Sequence, residues 1–155
     1  MTTGVKVQIF QGSTEAFRPV DEQWSLEIQN NAFGIKADID RHLADLQSLV
    51  DSESSDLLVL TEGDKIVGYM GMITFVSPTS DQLISNEHFW YVVPAHRSFG
   101  SMKLLRAAID WARTKGCSHV IFNASYMASG LHDKVCHFYE TMGMKRFETS
   151  FIREI

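Results

Sequence analysis

The chain has 155 residues and a mass of 17.5 kDa, which fits one domain with a core that needs no disulfide or metal. Its 45% hydrophobic and 21% charged residues match ordinary globular proteins and exclude a disordered chain. A net charge of −5 argues against nucleic acid as a partner, because such binding relies on clustered lysine and arginine.

The sequence gives no sign of membrane insertion or export. No stretch approaches the ~18 apolar residues of a membrane span, and the first residues lack the basic start and apolar run of a signal peptide. We therefore expect a cytoplasmic protein without a membrane partner, folded as a single domain over residues 1–155. Cys117 and Cys136 are expected to be free, buried thiols. His132 and Cys136 are spaced like two ligands on one helix, but no second cluster completes a set, so we predict no metal site.

The first half of the chain predicts one strand and two helices. Residues 5–10 form the first candidate strand, and Ser13 or Thr14 can cap the helix that follows. Asp38 can cap the second helix in the same way. The apolar stripes at helical spacing are Phe17, Val20, Trp24 and Ile28 in the first helix, and Ile39, Leu43, Leu46 and Val50 in the second.

Three strands are predicted next. Residues 56–61 and 66–76 read as a hairpin, because the segment between them has the chemistry of a turn. Gly68 and Gly71 lie inside the second of these strands and indicate a bulge or a close approach by another group. The third strand covers residues 87–93 and ends at Pro94, which cannot donate a ladder hydrogen bond.

The second half alternates helices and strands. A helix is predicted over residues 100–115, followed by Gly116 as a left-handed cap, and a strand over residues 118–124. A further helix over residues 132–142 stops at Gly143, and residues 145–155 read as a final strand.

The turn between Pro94 and the third helix has the features of an anion site. The backbone N–H groups of residues 97–102 precede or begin the helix, where they lack intrahelical partners and where the helix dipole is positive. Gly100 would let a phosphate approach the main chain, and Arg97 could add a charged donor. A pyrophosphate fits such a turn, although a tight connection with a surface arginine explains the same residues.

Two motifs in order give the turn a more specific meaning. They are YVVPAHRSFG at residues 91–100 and FYETMGM at residues 138–144, joined by a helix and a strand. The chain thereby resembles the GNAT superfamily of N-acetyltransferases, with its Tyr-Val-x-Pro-x-x-Arg-Gly-x-Gly-x-Gly/Ala loop and its Phe-Tyr-x-x-x-Gly-Phe helix. The sequence departs from that pattern at Ser98, where a glycine is usual, at Met102, where a small residue is usual, and at Met144, where phenylalanine is usual.

The resemblance implies an α/β fold of the GNAT type, in which a mostly antiparallel twisted sheet is flanked by helices and splays open near Val92 and Asn123. It implies an acetyl-coenzyme A dependent N-acetyltransferase whose partner is an amine acceptor, either a small molecule or a protein, and it is compatible with a homodimer. The cofactor-binding residues that it implies are Val92, Val93, Arg97, Ser98, Phe99, Gly100, Ser101, Met102 and Asn123.

The resemblance also implies direct attack of the amine on the thioester, without a covalent enzyme intermediate. Tyr139 is then the general acid that protonates the leaving thiolate. Glu87 and His88 are both candidates for the general base, and simple alternation would place Glu87 on the face of Phe89 and His88 on the opposite one. Ordered water could replace either residue.

Two alternatives to the enzyme remain in view. A catalytically silent sensor of acyl-coenzyme A would need the same loop but no base. An unrelated nucleotide-binding module explains only the phosphate turn, and the chain lacks both standard glycine-rich nucleotide motifs. The acceptor cleft that the resemblance implies is formed by the first two helices and by loops near residues 30–35 and 77–86, with Trp24, Phe33, Glu27, Asp38 and Asp81.

Overall fold

The computed structural model describes residues 4–128 and 130–155, and it shows a single five-stranded sheet flanked by helices. The strands lie in the order β1-β2-β3-β4-β5, with antiparallel pairing throughout except for the parallel pair β4 and β5. The elements are β1 (Val5–Ile9), α1 (Arg18–Ile28), α2 (Ile39–Asp51), β2 (Ser55–Glu62), β3 (Lys65–Val76), β4 (Leu83–Val92), α3 (Arg97–Thr114), β5 (His119–Ile121) and α4 (His132–Thr141). The predicted mixed α/β fold with a mostly antiparallel sheet is confirmed.

The second helix begins at its predicted cap, whereas the cap predicted for the first helix starts a 3-10 turn that precedes it. Ser13 accepts a hydrogen bond from the Glu15 N–H and starts a short 3-10 turn, Thr14–Phe17, that leads into α1. Asp38 accepts from the Arg41 N–H at 3.0 Å and starts α2. Thr14 was the other candidate cap of the first helix. Its hydroxyl donates to the Leu43 carbonyl at 2.7 Å and so connects the 3-10 turn to α2.

The core lies between the sheet and the helices α1, α2 and α3. It is built from aliphatic and aromatic side chains of both layers, so the helical stripes and the strand residues meet as predicted. Its fully buried members include Phe17, Leu46, Leu57, Leu60, Tyr69, Met70, Met72 and Leu104. Among the residues that the structure describes, no helix has the length and hydrophobicity to cross a bilayer.

Gly71 lies at an irregularity of the sheet, as its position in the sequence predicted. The register between β3 and β4 shifts at this point: Gly71 is opposite Phe89, but the next residue, Met72, is opposite Glu87. His88 is therefore an extra residue in β4, which is a β-bulge. A side chain at Gly71 would also collide with Leu49 of α2, so both expected reasons for a glycine apply.

The largest departure from the predicted fold is at the end of the chain. Residues 145–155 form no strand, and Phe147, Phe151 and Ile155 are exposed. The alternating apolar pattern favours a strand, but a strand is stable only when its peptide groups pair with a neighbour. The edge strand β5 is three residues long, against seven predicted for that segment, and so offers little to pair with.

Candidate active site

A gap between β4 and β5 is the central feature of the site. The two strands pair only from Ile84 with His119 to Asn86 with Ile121. Beyond this point β4 continues to Val92 without β5 as its neighbour. The Val93 N–H donates to the Val67 carbonyl at 2.9 Å and therefore faces β3. Because peptide groups alternate between the two edges of a strand, those of Val92 face the gap. The predicted splay near Val92 is confirmed. Of Val92 and Val93, which were both predicted to bind the cofactor, only Val92 has peptide groups directed toward the gap.

The helix that starts beyond this gap begins three residues earlier than predicted. A 3-10 turn, Pro94–His96, precedes α3. In this turn the His96 N–H donates to the Val93 carbonyl, and the Arg97 N–H donates to the Pro94 carbonyl. From Gly100 onward, helix geometry directs each N–H to a carbonyl one turn back. Of the amide donors predicted over residues 97–102, only those of Ser98 and Phe99 therefore stay available for a ligand. They lie at the positive end of an 18-residue helix.

Packing against the sheet requires a glycine at position 100. It is buried against the sheet, and a Cβ at this position would lie 2.5 Å from Leu60 Cδ2. The next residue, Ser101, is also buried, while Met102 is half-buried and Phe99 is exposed. The side of Gly100 that a Cβ would occupy faces Leu60, so packing explains the glycine, and its role in binding an anion stays a prediction.

Arg97 is bound by the protein itself. Its Nε donates to the Val92 carbonyl at 2.9 Å, and its Nη2 lies 2.6 and 2.7 Å from the two carboxylate oxygens of Glu27. The guanidinium also lies over the Tyr91 ring, whose hydroxyl donates to the same carboxylate at 2.6 Å. Glu27, expected in the acceptor cleft, instead joins α1 to the start of α3.

Glu87 turns into the gap and is buried, with 6% of its surface exposed. Its Oε2 accepts from the Asn123 N–H at 3.1 Å, and its carbonyl accepts from the Asn123 side chain at 2.9 Å. Burial raises the pKa of Glu87 to about 7, against the lowering effect of the Asn123 hydrogen bonds. A carboxyl with that pKa can accept a proton and release it at neutral pH.

Tyr139 of α4 meets Glu87 through Asn123. Its hydroxyl donates to the Asn123 carbonyl at 2.9 Å, and its ring lies near those of Trp90 and Phe122, at centroid distances of 6.2 and 5.8 Å. Burial, and after it the charge of Glu87, raises the pKa of the Tyr139 phenol, which is therefore protonated at neutral pH. The structure brings together Tyr139, Glu87 and Asn123, three of the predicted site residues.

His88 does not take the side that simple alternation predicts. Its Nε2 lies 2.7 Å from Asp45 Oδ2 on α2, and Phe89 packs on the same helix against His42. The bulge gives these two consecutive residues the same direction and leaves Glu87 in the gap. The predicted parity of Glu87 with Phe89 is wrong for that reason.

A buried polar group beneath α1 and α2 was not foreseen from the sequence. Tyr69 donates its hydroxyl to Asp21 at 2.5 Å and contacts His42 Nε2 at 2.9 Å. Asp21 is completely buried, and burial raises its pKa to about 6. The three residues are far apart in sequence, and a single aspartate inside the stripe of an amphipathic helix was the only available signal.

Other sequence predictions concern the cysteines. Cys117 and Cys136 are free, but they are half-buried and not fully buried. Cys136 Sγ lies 3.6 Å from His132 Nε2. Within residues 4–128 and 130–155 no group of three histidine, cysteine, aspartate or glutamate side chains is placed to hold a metal ion.

Comparison with known proteins assigns the family. Residues 18–144 match the family described as Acetyltransferase (GNAT) family, and the chain therefore belongs to it. This assignment confirms the resemblance seen in the two motifs, and it identifies acetyl-coenzyme A as the cofactor, as predicted. A comparison with curated proteins finds no match.

Solved structures share the fold along their whole length. A ribosomal-protein-alanine N-acetyltransferase from Brucella melitensis biovar Abortus 2308 is 15% identical, with a TM-score of 0.73 over 98% of this chain and 99% of that chain. A putative acetyl transferase from Pyrococcus furiosus is 18% identical, with a TM-score of 0.73 and coverage of 98% and 100%. The aminoglycoside N-acetyltransferase AAC(6')-Iy in complex with CoA is 16% identical, with a TM-score of 0.71 and coverage of 100% and 98%.

The gap fits the thiol-bearing arm of coenzyme A. Beyond Asn86, β4 has no strand partner on this side among the described residues, so the peptide groups of Trp90 and the N–H of Val92 face the gap without a strand partner. The Val92 carbonyl already accepts from Arg97. An extended arm with amide groups can pair with such an edge. The Ser98 and Phe99 amides at the start of α3 suit the diphosphate.

Proposed function

We propose that the protein is an N-acetyltransferase that passes the acetyl group of acetyl-coenzyme A to a primary amine of a small molecule or a protein. The active unit is one domain over residues 1–155, acting in the cytoplasm. The observation that carries the proposal is the meeting of Glu87 and Tyr139 at Asn123 in the gap beside β4. One group can accept a proton there and the other can supply one.

The cofactor brings a thioester, whose acetyl carbon is open to attack by a neutral amine. For this chain we assign Val92 to the pantetheine arm, and Ser98 and Phe99 to the diphosphate through their N–H groups. We assign the remaining predicted cofactor-binding residues to holding the strand and the helix that make these contacts. They are Val93, Arg97, Gly100, Ser101, Met102 and Asn123. AAC(6')-Iy, with the same fold, has been solved with CoA and with a bisubstrate analogue, which supports the assignment.

Proton transfers at Glu87 and Tyr139 balance the reaction. Glu87 takes a proton from the acceptor ammonium, and the amine nitrogen forms a bond to the acetyl carbon as the carbon–sulfur bond breaks. The Tyr139 hydroxyl gives its proton to the departing sulfur and regains one from solvent. The acylated nitrogen loses its second proton to solvent, and Glu87 releases there the proton that it took from the ammonium. The products are an amide and free coenzyme A, and no cysteine or serine nucleophile is needed.

The enzyme and the silent sensor differ in their need for a base. A sensor has no use for a buried carboxyl with a pKa of about 7, whose burial costs free energy that the hydrogen bonds from Asn123 only partly offset. The tuned Glu87 therefore favours the enzyme.

A panel of amines tests the proposal directly. The protein is incubated with acetyl-coenzyme A and each amine, while free thiol release is followed and acetylated products are identified by mass spectrometry. We expect amine-dependent thiol release with wild type and a large loss with Glu87→Gln. Tight binding of acetyl-coenzyme A without turnover of any amine would establish the sensor instead, and absence of binding would overturn both.

A further inference from the structure

The outer edge of β1 is open. β1 is the first strand in the order of the sheet, and no strand lies beyond it among the described residues. The Phe10 N–H, which continues the register of β1, donates to the Leu57 carbonyl of β2 at 2.8 Å. Because peptide groups alternate between the two edges of a strand, those of Val5, Val7 and Ile9 point away from β2.

Lys103 of α3 confirms this orientation of the edge. Its Nζ donates to the Val5 carbonyl at 2.8 Å, so that carbonyl does point away from β2. The outward peptide groups of Val7 and Ile9 have no hydrogen-bond partner in the part of the chain that the structure describes. Unpaired donors and acceptors in such a row are a template for an added strand.

A groove of about 500 Å³ runs along this edge, between β1 and α3. Its charged lining consists of one carboxylate, Asp110, and three exposed cations, which are Lys6, Lys103 and Arg106. The formal charge of the lining is therefore +2, on a chain whose net charge is −5. Asp110 lies 2.7 Å from Arg113. Counting Arg113, and also Glu62, which is opposite Val5 in β2, leaves the sum unchanged.

The three cations of the groove are not neutralised by the protein. None of them has a carboxylate oxygen within 4.0 Å in residues 4–128 and 130–155. Lysines at an open edge repel a neutral or basic strand, because its approach would strip water from them without supplying a counter-charge. The edge is thus selective for a strand that carries carboxylates.

Hydrogen bonding and charge together select the occupant. A second copy paired edge to edge would bring Lys6 and Arg106 of both copies together, and like charges across a strand pair are unfavourable. A row of phosphates offers acceptors only and leaves the carbonyls of Val7 and Ile9 unpaired. An extended peptide supplies both donors and acceptors, and acidic side chains on it match the charge of the groove.

We propose that the edge of β1 binds an extended acidic segment of another protein, which adds to the sheet as a further strand. Its peptide groups pair with those of Val7 and Ile9, and its carboxylates lie beside the cations of the groove. β1 lies three strands from β4, about 14 Å at the usual spacing, so the gap stays open while the partner is bound. Binding at this edge is therefore independent of acetyl transfer.

Labelled peptides test the proposal by fluorescence anisotropy. The probe alternates glutamate with valine, a second peptide has lysine in place of each glutamate, and a third has two consecutive prolines at its centre, which remove donors facing either way. We expect the probe to bind at least tenfold more tightly than the other two. Arg106→Glu should weaken its binding about tenfold, whereas Lys134→Glu, on the exposed side of α4, should not change it.

Each other outcome overturns the proposal. Equal binding of the three peptides, or no binding of the glutamate peptide, would show that the edge recognises no acidic strand. Equal binding of the glutamate peptide and its proline form would reduce the site to a charged surface without strand pairing. A dimer in analytical ultracentrifugation that Val7→Pro abolishes and the glutamate peptide does not dissociate would assign the edge to a second copy. Melting curves verify that each variant is folded.

Discussion

Glu27 and Arg97 connect the first helix of the protein to the start of the third. A single guanidinium nitrogen of Arg97 lies within 2.7 Å of both oxygens of the Glu27 carboxylate, while its Nε holds the Val92 carbonyl at the end of β4. The pair is only about a quarter exposed, with side-chain exposures of 29% and 25%. The three segments that meet here border the proposed cofactor site, and this ion pair is one of the contacts that fix their mutual position.

Removing the charge of Glu27 should weaken cofactor binding. In Glu27→Gln the Arg97 guanidinium loses its charged partner, and the first turn of α3 is less firmly held. We expect the Kd of coenzyme A to rise roughly fivefold, measured by titration calorimetry. Glu22→Gln, on the same helix but exposed, is the matched control and should bind like wild type. An unchanged Kd in Glu27→Gln would show that this ion pair does not position the loop.

The rate should depend on the ionisation of Glu87. With a pKa of about 7, Glu87 is protonated below that pH and is then unable to accept a proton from the amine. We expect kcat/KM to rise about tenfold per pH unit below pH 7 and to level off above it. Rates with an amine of low pKa, measured from pH 5 to 9, isolate the enzyme group. Persistence of the same profile in Glu87→Gln would assign it to another residue.

The same burial should make folding stability pH-dependent. The folded pKa of about 7 lies above the reference value of 4.5, so between these pH values the folded protein binds more protons than the unfolded chain. Stability contributed by the neutral carboxyl is complete below about pH 4.5 and is lost as pH rises to about 7, a loss on the order of 3 kcal/mol. Urea unfolding should show this slope in wild type and a flatter curve in Glu87→Gln.

Tyr139→Phe should lower turnover while leaving cofactor affinity close to that of wild type. The change removes the hydroxyl that bonds to Asn123 at 2.9 Å but keeps the ring among its aromatic neighbours. We expect kcat to fall about 100-fold, as for loss of a general acid. Calorimetry and a melting curve verify binding and folding. A variant that folds and retains full kcat excludes Tyr139 as the acid.

Gly100→Ala should destabilise the fold before it affects phosphate binding. The added methyl would lie 2.5 Å from Leu60 Cδ2 in the core, and overpacking of this kind costs about 1–3 kcal/mol. Leu60→Val frees that space, so the double variant should be more stable than the sum of the single changes predicts. Strict additivity in denaturant titrations would show that the two residues do not compete for the same volume.

The order of elements was predictable because periodicity and caps are local properties of the sequence. Asp38 at the start of α2 is an example, since a capping side chain acts within three residues. Gly71 indicated an irregularity in β3, but that the extra residue would be His88 of β4 was not predictable, because this depends on how β3 and β4 pair across the sheet. The missing last strand has a similar cause, since residues 145–155 have the alternation but lack a partner.

In the candidate site, too, local sequence signals were predictable and contacts between distant segments were not. The motif at residues 138–144 led to Tyr139, and Glu87 was one of two candidate bases, although the face of the strand assigned to it was wrong. The contact of Glu27 with Arg97 spans 70 residues, and nothing in either local sequence indicates it. Gly100 fitted a phosphate loop by pattern, yet the structure uses it to bring α3 close to Leu60.

The extra residue at His88 has a consequence for how this enzyme could diversify. Two adjacent side chains of one strand, His88 and Phe89, contact α2, whereas Glu87 contacts Asn123 in the gap. Changes at the first two positions would alter the packing of α2 without displacing the carboxyl that we propose as the proton acceptor. The surface beneath α2 and the proposed reaction centre can thus evolve separately within three consecutive residues.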